Sequence, residues 1–198
     1  NKDLVQSGNW KGQQVGLFDY TGPLISYINT RLFKEAGVTP PTGDMPGWDM
    51  TFDQLTAMGK QLTKGTGPNK VYGLSGFADN FCILCFVAWS FGTQLIQGRG
   101  PHAASDVKWT WNTPEMARAM QMQADWVIKD QSMPAPGVLQ GDPFVDQRIA
   151  IKNFSGRWLT PLYSKLPWVQ DLGMIMAPTG PTGKKQTRNG PRGLFVPK

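Results

Sequence analysis

The chain is poor in the side chains that usually carry chemistry. Its 198 residues include a single histidine and two cysteines. His102 cannot complete a four-ligand metal site with Cys82 and Cys85, so no metal centre is expected. Both cysteines lie in the apolar run FCILCFVAW. On a helix their i,i+3 spacing puts both thiols on one buried face, which argues for packing over redox chemistry. Charged residues are also scarce, at 17%, and no segment approaches the roughly 18 uninterrupted apolar residues of a membrane-spanning helix. Catalytic grammar is missing as well: the chain has no Gly-x-Ser-x-Gly, no phosphate-binding GxxxxGK[ST] and no HExxH. No cofactor is implied.

Glycine (23), proline (16) and tryptophan (8) are plentiful, which predicts a loop-rich and aromatic chain that is nevertheless ordered. The length suffices for one large domain or two small ones. The formal charge of +6 comes from scattered Lys and Arg. Its densest stretch, KKQTRNGPR at Lys184 to Arg192, lies among Gly, Pro and Thr and reads as a solvated loop. A nucleic-acid partner is therefore not expected. The opening NKDLVQSGNWKG has neither the basic start nor the apolar middle of a signal peptide. Either targeting information was removed or the chain begins inside a larger protein.

Short strands alternate with helices along the chain, the pattern of an α/β layered domain. Gln13 to Tyr20 and Leu24 to Ile28 read as strands around a Thr-Gly-Pro bend, followed by a helix in NTRLFKEAGV closed by Gly37. Thr51 and Gln54 match a capping box, with Phe52, Leu55, Met58, Gly59 and Leu62 on one helical face. Val71 to Phe77 has strand character, and Asp79 or Asn80 can cap a buried helix reaching about Phe91. VKWTW reads as a strand. NTPEMARAMQMQADWVIKD reads as a helix capped by Asn112 or Thr113, with Met116, Met120, Ala124, Val127 and Ile128 as its inner stripe. A short helix around DPFVDQR, a strand at Ile149 to Asn153, a helix from about Gly156 to Lys165 and a strand at Asp171 to Ala177 complete the order.

Paired carboxylates are the one enzyme-like option, with Asp19, Asp79, Asp142 and Asp146 as candidates for acid and base in glycoside cleavage. Asp142, before Pro143, is most simply a cap, and Asp146 a solvated face. Aromatics at element edges are more informative. Phe18 and Tyr20 bracket Asp19, Phe81 follows Asp79-Asn80, and in NFSGRWLTPLY Trp158 follows Gly156-Arg157 with Tyr163 five residues on. Carbohydrate recognition uses these groups: aromatic faces pack on the C–H faces of sugar rings, while Asp, Asn and Arg hydrogen-bond the hydroxyls.

Several segments, in order, resemble the extracellular solute-binding proteins that deliver sugars and related solutes to ABC importers, the maltose-binding-protein group. LFDYTGPLISYINTRLFKEAGV is similar to the family's strand, bend, strand and YNKDLFKEAG helix, and WDMTFDQLTAMGKQLTKG to its P-x-T-W-D-E-L helix. VYGLSGF and the helix ending in FGTQLI resemble the YG strand and its helix, and TWNTPEMARAMQMQADWVIKD resembles the NSPEAVEAL helix. FVDQRIAIKNFSGRW looks like F-x-x-G-K-A-A-M-x-x-x-G-x-W, and LGMIMAPTGPTGKK like G-x-x-P-x-P-x-G-P-G-G. Two departures stand out: Asp146, Gln147 and Arg148 replace the usual Gly-Lys, and Trp-Asp-Glu is split in WDMTFDQ. Neither touches a position expected to bind solute.

The resemblance implies a type II periplasmic-binding-protein lobe of three layers, helix, sheet, helix. Family members are about twice this length, so residues 1–198 are expected to form one lobe, the second in chain order, with 1–12 and 184–198 near the interlobe crossovers. Carried over, the solute-contacting positions are Trp158 with Gly156 and Arg157, then Asp79 and Phe81, then Phe18, Asp19 and Tyr20. The implied protein is a non-enzymatic, extracytoplasmic component, periplasmic or a cell-surface lipoprotein. It is expected to be a monomer at full length and to hand a sugar to a membrane permease. A carbohydrate-active enzyme, or a binder of peptides or polyamines, is the alternative.

Overall fold

A computed structural model describes residues 8–20, 22–41, 50–76, 81–97, 108–156, 159–187 and 192–195, and for a few of these, among them Phe18, Asp19, Tyr20 and Phe81, the backbone alone. The helices begin where capping chemistry dictates. Helix α1, Thr30–Ala36, starts with Asn29 accepting from the Leu32 amide and ends at Gly37 in the left-handed conformation. Helix α2, Phe52–Leu62, carries the reciprocal box: Thr51 Oγ1 accepts from the Gln54 amide at 3.2 Å, and Gln54 Oε1 from the Thr51 amide at 2.8 Å. Helix α3 spans Phe81–Ser90. Helix α4, Pro114–Ile128, is capped by Thr113 with proline in its first turn.

The expected inner face of α4 requires correction. Met116, Ala119 and Trp126 are buried, whereas Met120 is 38% and Ile128 78% exposed. Two stripes sharing Met116 compete on this helix, one through Ala119 and Trp126, the other through Met120, Ala124 and Ile128. The larger apolar area of the indole selects the first. Burial also gives its N–H a partner, Thr56 Oγ1 on α2 at 2.9 Å.

The central sheet has four strands: β4 (Leu24–Asn29), β5 (Tyr72–Leu74), β8 (Ile149–Gly156) and β9 (Leu172–Ile175), in spatial order β5-β8-β4-β9. β5 runs parallel to β8, and β4 is antiparallel to both β8 and β9. Alternate residues of β4 feed two separate cores, as strand pleating requires. Leu24 and Ile28 join a large cluster with Phe33, Phe52, Leu55, Leu84, Val87, Met116 and Trp126 from the four helices. Ile25 and Tyr27 point the other way, to Phe144, Tyr163, Leu166 and Trp168. Packing on both faces makes the α/β layering expected from sequence.

Three two-stranded ribbons lie outside this sheet: β1 (Asn9–Trp10) with β2 (Gln13–Gln14), β3 (Gly16–Tyr20) with β10 (Arg192–Phe195), and β6 (Ile96–Gln97) with β7 (Lys108–Trp109). The expected strand at Gln13 to Tyr20 is thus interrupted at Val15, and of VKWTW the described strand residues are Lys108 and Trp109, with the Thr110 amide donating to the Leu95 carbonyl at 2.9 Å. DPFVDQR is a run of turns and not a helix. Gln147 takes a positive φ of 56° that ends any helical course. Helix α5 is shorter than expected, Thr160–Tyr163, because Gly156 still belongs to β8. The strand at Asp171 to Ala177 is confined to β9, with Val169–Asp171 forming a 3-10 turn.

Helix α2 lies on β5 at backbone contact. A Cβ on Gly73 would sit 2.0 Å from the Gly59 carbonyl oxygen. Thr63 joins the two elements, donating to that same oxygen at 2.8 Å and accepting from the Gly73 amide at 3.0 Å. Gly73→Ala must push α2 off the sheet and is expected to cost about 2–4 kcal/mol. Urea denaturation reads this as a lowered midpoint; an unchanged midpoint would show that the contact is slack.

Candidate functional site

In open α/β sheets, ligands bind beyond the carboxyl ends of parallel strands. Here that edge holds the ends of β5 and β8 and the start of β4, where Leu24 pairs with Gly156. The strand β8 does not reach this edge in a regular ladder. Ser155 faces Ile25 and Lys152 faces Tyr27, which leaves both Asn153 and Phe154 opposite the single Ser26. This β-bulge places Phe154 at φ 53°, a left-handed conformation that a bulky residue adopts only under constraint.

Two serines satisfy the amides that the bulge frees. Phe154 N donates to Ser26 Oγ at 3.1 Å, and Asn153 N donates to Ser75 Oγ at 2.8 Å. Asn153 Nδ2 donates to the Ser75 carbonyl at 2.6 Å, while its buried Oδ1 has no hydrogen-bond partner among the described residues. The Phe154 ring is held in the large core, 6.2 Å from Phe52. Packing and hydrogen bonds together therefore hold the strained residue and re-aim the last residues of β8. Bulges and strained backbone of this kind recur beside functional sites.

A polar cluster supports the same strand from the smaller core. Lys152 Nζ contacts Asp142 Oδ1 at 2.9 Å and Oδ2 at 2.8 Å. Tyr163 donates to Oδ2 at 3.0 Å, and the Phe144 amide to Oδ1 at 3.1 Å. Burial alone would raise the Asp142 pKa. The Lys152 hydrogen bond and charge, with the Tyr163 and Phe144 donors, outweigh it and hold the carboxyl below its ordinary value of 3.8. The Tyr163 hydroxyl is pushed well up, by burial first and then by the Asp142 charge. Asp142 is thus a fixed anion that caps its turn, while Asp146 is exposed to solvent.

Of the residues expected from sequence to form the site, Asp79, Arg157 and Trp158 lie outside the described residues. For Phe18, Asp19, Tyr20 and Phe81 the backbone places the first three on ribbon strand β3 and Phe81 at the first turn of α3. Gly156 ends β8 and is buried. Tyr163, singled out as an edge aromatic, belongs instead to the smaller core with no exposure. Sequence reasoning missed Ser26, Tyr27, Ser75, Asn153 and Lys152. A signal was present: the polar residues of KNFSG interrupt an apolar strand, where side chains must find partners inside the protein. Elsewhere, a groove of about 970 Å³ runs between α2 and α4, and four of its charges form ion pairs, Lys60 with Asp130 at 2.9 Å and Lys129 with Asp125 at 3.6 Å. Among the described residues no helix is long and apolar enough to cross a membrane.

No family model and no curated protein matches the sequence. Solved structures do. An ABC substrate-binding protein from Listeria monocytogenes in complex with cycloalternan superposes with a TM-score of 0.75 at 22% identity, over 97% of this chain and 47% of that one. Maltose-bound MalE3 of T. maritima gives 0.75 at 19%, over 100% and 49%. The cyclic alpha-maltosyl-1,6-maltose binding protein of Arthrobacter globiformis gives 0.72 at 21%, over 100% and 48%. Nearly the whole chain thus shares the fold of these proteins, and it spans about half of the length of each. The substrate-binding-protein fold accounts for the mixed sheet with helices on it, and it agrees with the resemblance read from the segment order.

Two outcomes test the supports of this strand. Ser26→Ala removes the hydroxyl that accepts from the Phe154 amide and is expected to lower stability by about 1–3 kcal/mol; an unshifted urea midpoint would mean that the bulge does not need the hydroxyl. Because the folded-state pKa of Asp142 is depressed, its contribution is complete above the unfolded value of 3.8 and fades as pH falls through the lower folded value. Asp142→Asn should therefore be less stable than the parent at pH 7, by a margin that shrinks near pH 3. An equal deficit at both pH values would refute the linkage.

Proposed function

We propose that this chain is one lobe, the second in chain order, of an extracytoplasmic solute-binding protein that captures a mono- or oligosaccharide for an ABC importer. The observation that carries the reading is the superposition of nearly the whole chain on about half of each of three carbohydrate-binding proteins. A second observation supports a partner lobe. Leu17 and Leu194 face each other across the β3–β10 ribbon and are 69% and 66% exposed. A two-stranded ribbon is marginal in water by itself, and an apolar cross-strand pair on it gains by being covered.

In this reading the sugar lies in the cleft between lobes, against the edge where β5 and β8 end. Trp158 stacks on a sugar face, and Asp79 and Arg157 hydrogen-bond its hydroxyls. Phe81, Phe18, Asp19 and Tyr20 contribute from the start of α3 and from the ribbon, while Gly156 provides the turn. Closure of the lobes traps the solute for the membrane permease. The protein binds without converting its ligand and acts as a monomer in the periplasm or at the cell surface.

Isothermal titration of the full-length gene product with maltose and mannotriose is the direct test. Saturable binding is expected, weakened about tenfold or more by Trp158→Ala, the scale of losing an aromatic anchor. Silence with carbohydrates alongside binding of peptides or polyamines would overturn the sugar assignment. Release of shortened sugars would instead establish an enzyme.

A further inference from the structure

Two indoles stand side by side on the surface, well away from the edge where β5 and β8 end. Helix α4, of fifteen residues, carries the chain about 22 Å from the ribbon β6–β7 back toward Ser132, whose carbonyl accepts from the Leu74 amide at the end of β5. The ribbon therefore sits at the far end of that helix. Its register pairs Ile96 with Trp109. The Thr110 amide donates to the Leu95 carbonyl at 2.9 Å, which continues the pairing by one residue and sets Gln94 opposite Trp111.

Pleating sends alternate pairs to opposite faces. Leu95, 1% exposed, belongs to the large core, so the pair Leu95–Thr110 faces inward. Trp109 and Trp111 then share the outer face with Gln94, which is exposed, and they are themselves 64% and 44% exposed. Their rings lie 6.2 Å apart, tilted at 45°. The support beneath is hydrogen-bonded: Thr110 Oγ1 donates to the Gln94 carbonyl, and Thr113 Oγ1 to Thr93 Oγ1 at 3.0 Å.

Area and charge decide which partner fits. Applied to roughly 250 Å² for each indole side chain, those exposures leave about 270 Å² uncovered. A stable protein partner takes about 800 Å² from each side, three times as much. Membrane surfaces are recognised by clustered cations, but Lys108, the one cation among the described residues of the ribbon, alternates to the opposite face. The outer face instead offers two flat apolar rings and an uncharged amide. That suits a flat, neutral ligand with both C–H faces and hydroxyls. A chain of hexose units has this chemistry, and two neighbouring rings can take two of its units.

We propose that Trp109, Trp111 and Gln94 form a second carbohydrate site, an open platform for a chain of neutral hexose units, separate from the interlobe cleft. A cleft encloses its ligand, whereas an open platform contacts units anywhere along a chain. The inference goes beyond the cleft reading and does not depend on it.

Native electrophoresis of the full-length gene product in gels containing soluble starch or glucomannan tests it. At least one polysaccharide is expected to retard the parent. Replacing both indoles, Trp109→Ala with Trp111→Ala, should weaken this retardation about tenfold or more, while titration with maltose and mannotriose changes by less than about twofold. Trp158→Ala should keep the retardation. No retardation of the parent, or equal retardation of the double variant, would overturn the platform and leave the cleft reading standing. If neither maltose nor mannotriose binds while starch or glucomannan still retards the parent through Trp109 and Trp111, the cleft reading falls and the platform stands. Sedimentation velocity and flotation with phosphatidylglycerol vesicles check the other occupants. Dimers or vesicle binding that the double variant abolishes, without any retardation, would assign the indoles to a second copy or to a membrane and overturn the proposal.

Discussion

The bulge at Asn153–Phe154 is the constraint around which the rest is arranged. Strand β8 lies between β5 and β4, so any irregularity in it must be accommodated on both sides at once. It is accommodated by a pair of serines, one from each flank, that receive the amides released from the ladder. The left-handed turn at Phe154 is unfavourable for a bulky side chain by about 1–3 kcal/mol. Burial of its ring beside Phe52 offsets that cost. Beyond the bulge the strand stays paired to β4 with its register shifted by one residue, and Gly156 lies at the edge where β4 begins.

The two cores divide the labour around that strand. The larger one, built from α1 to α4, is apolar and fastens helices to the sheet, in one place by backbone contact at Gly59 and Gly73. The smaller one is aromatic with a polar margin, where Asp142, Lys152, Tyr163 and Tyr27 link the turn at 142–147 and α5 to β4 and β8. The Asp142–Lys152 pair is half-buried, so desolvation opposes part of its attraction. Its geometry is what distinguishes it: both carboxylate oxygens are occupied, which holds the turn and the tyrosine in one arrangement. In the proposed function, such rigidity beside a cleft reduces the ordering cost of binding a sugar.

Much of the fold was legible in sequence because it depends on local chemistry. The caps at Asn29, Thr51 and Thr113, the stop at Gly37, and the alternation of strands and helices all follow from residues within a few positions of one another. Errors arose where distant partners choose between local options. The inner face of α4 turned on Trp126 finding Thr56, which is 70 positions away. DPFVDQR lost its helix to the left-handed conformation of Gln147. Around the end of β8, the place of Gly156 after an apolar strand was legible, but the contacts of Tyr27, Ser26 and Ser75 were not, since each acts on residues of a distant strand.

What the sequence determined by itself is therefore the element types, their limits within a few residues and the segment order that resembles solute-binding proteins. Capping, turn chemistry and hydrophobic period act over spans of fewer than about ten residues, within reach of inspection. Tertiary structure decided the rest: the mixed order β5-β8-β4-β9, the bulge that turns the end of β8, and the meeting of Tyr27 with both Gly156 and Thr160. Those contacts bring together residues tens of positions apart, and for β4 more than a hundred. Only the packed sheet supplies that proximity, because which strands become neighbours is settled by burying both of its faces at once.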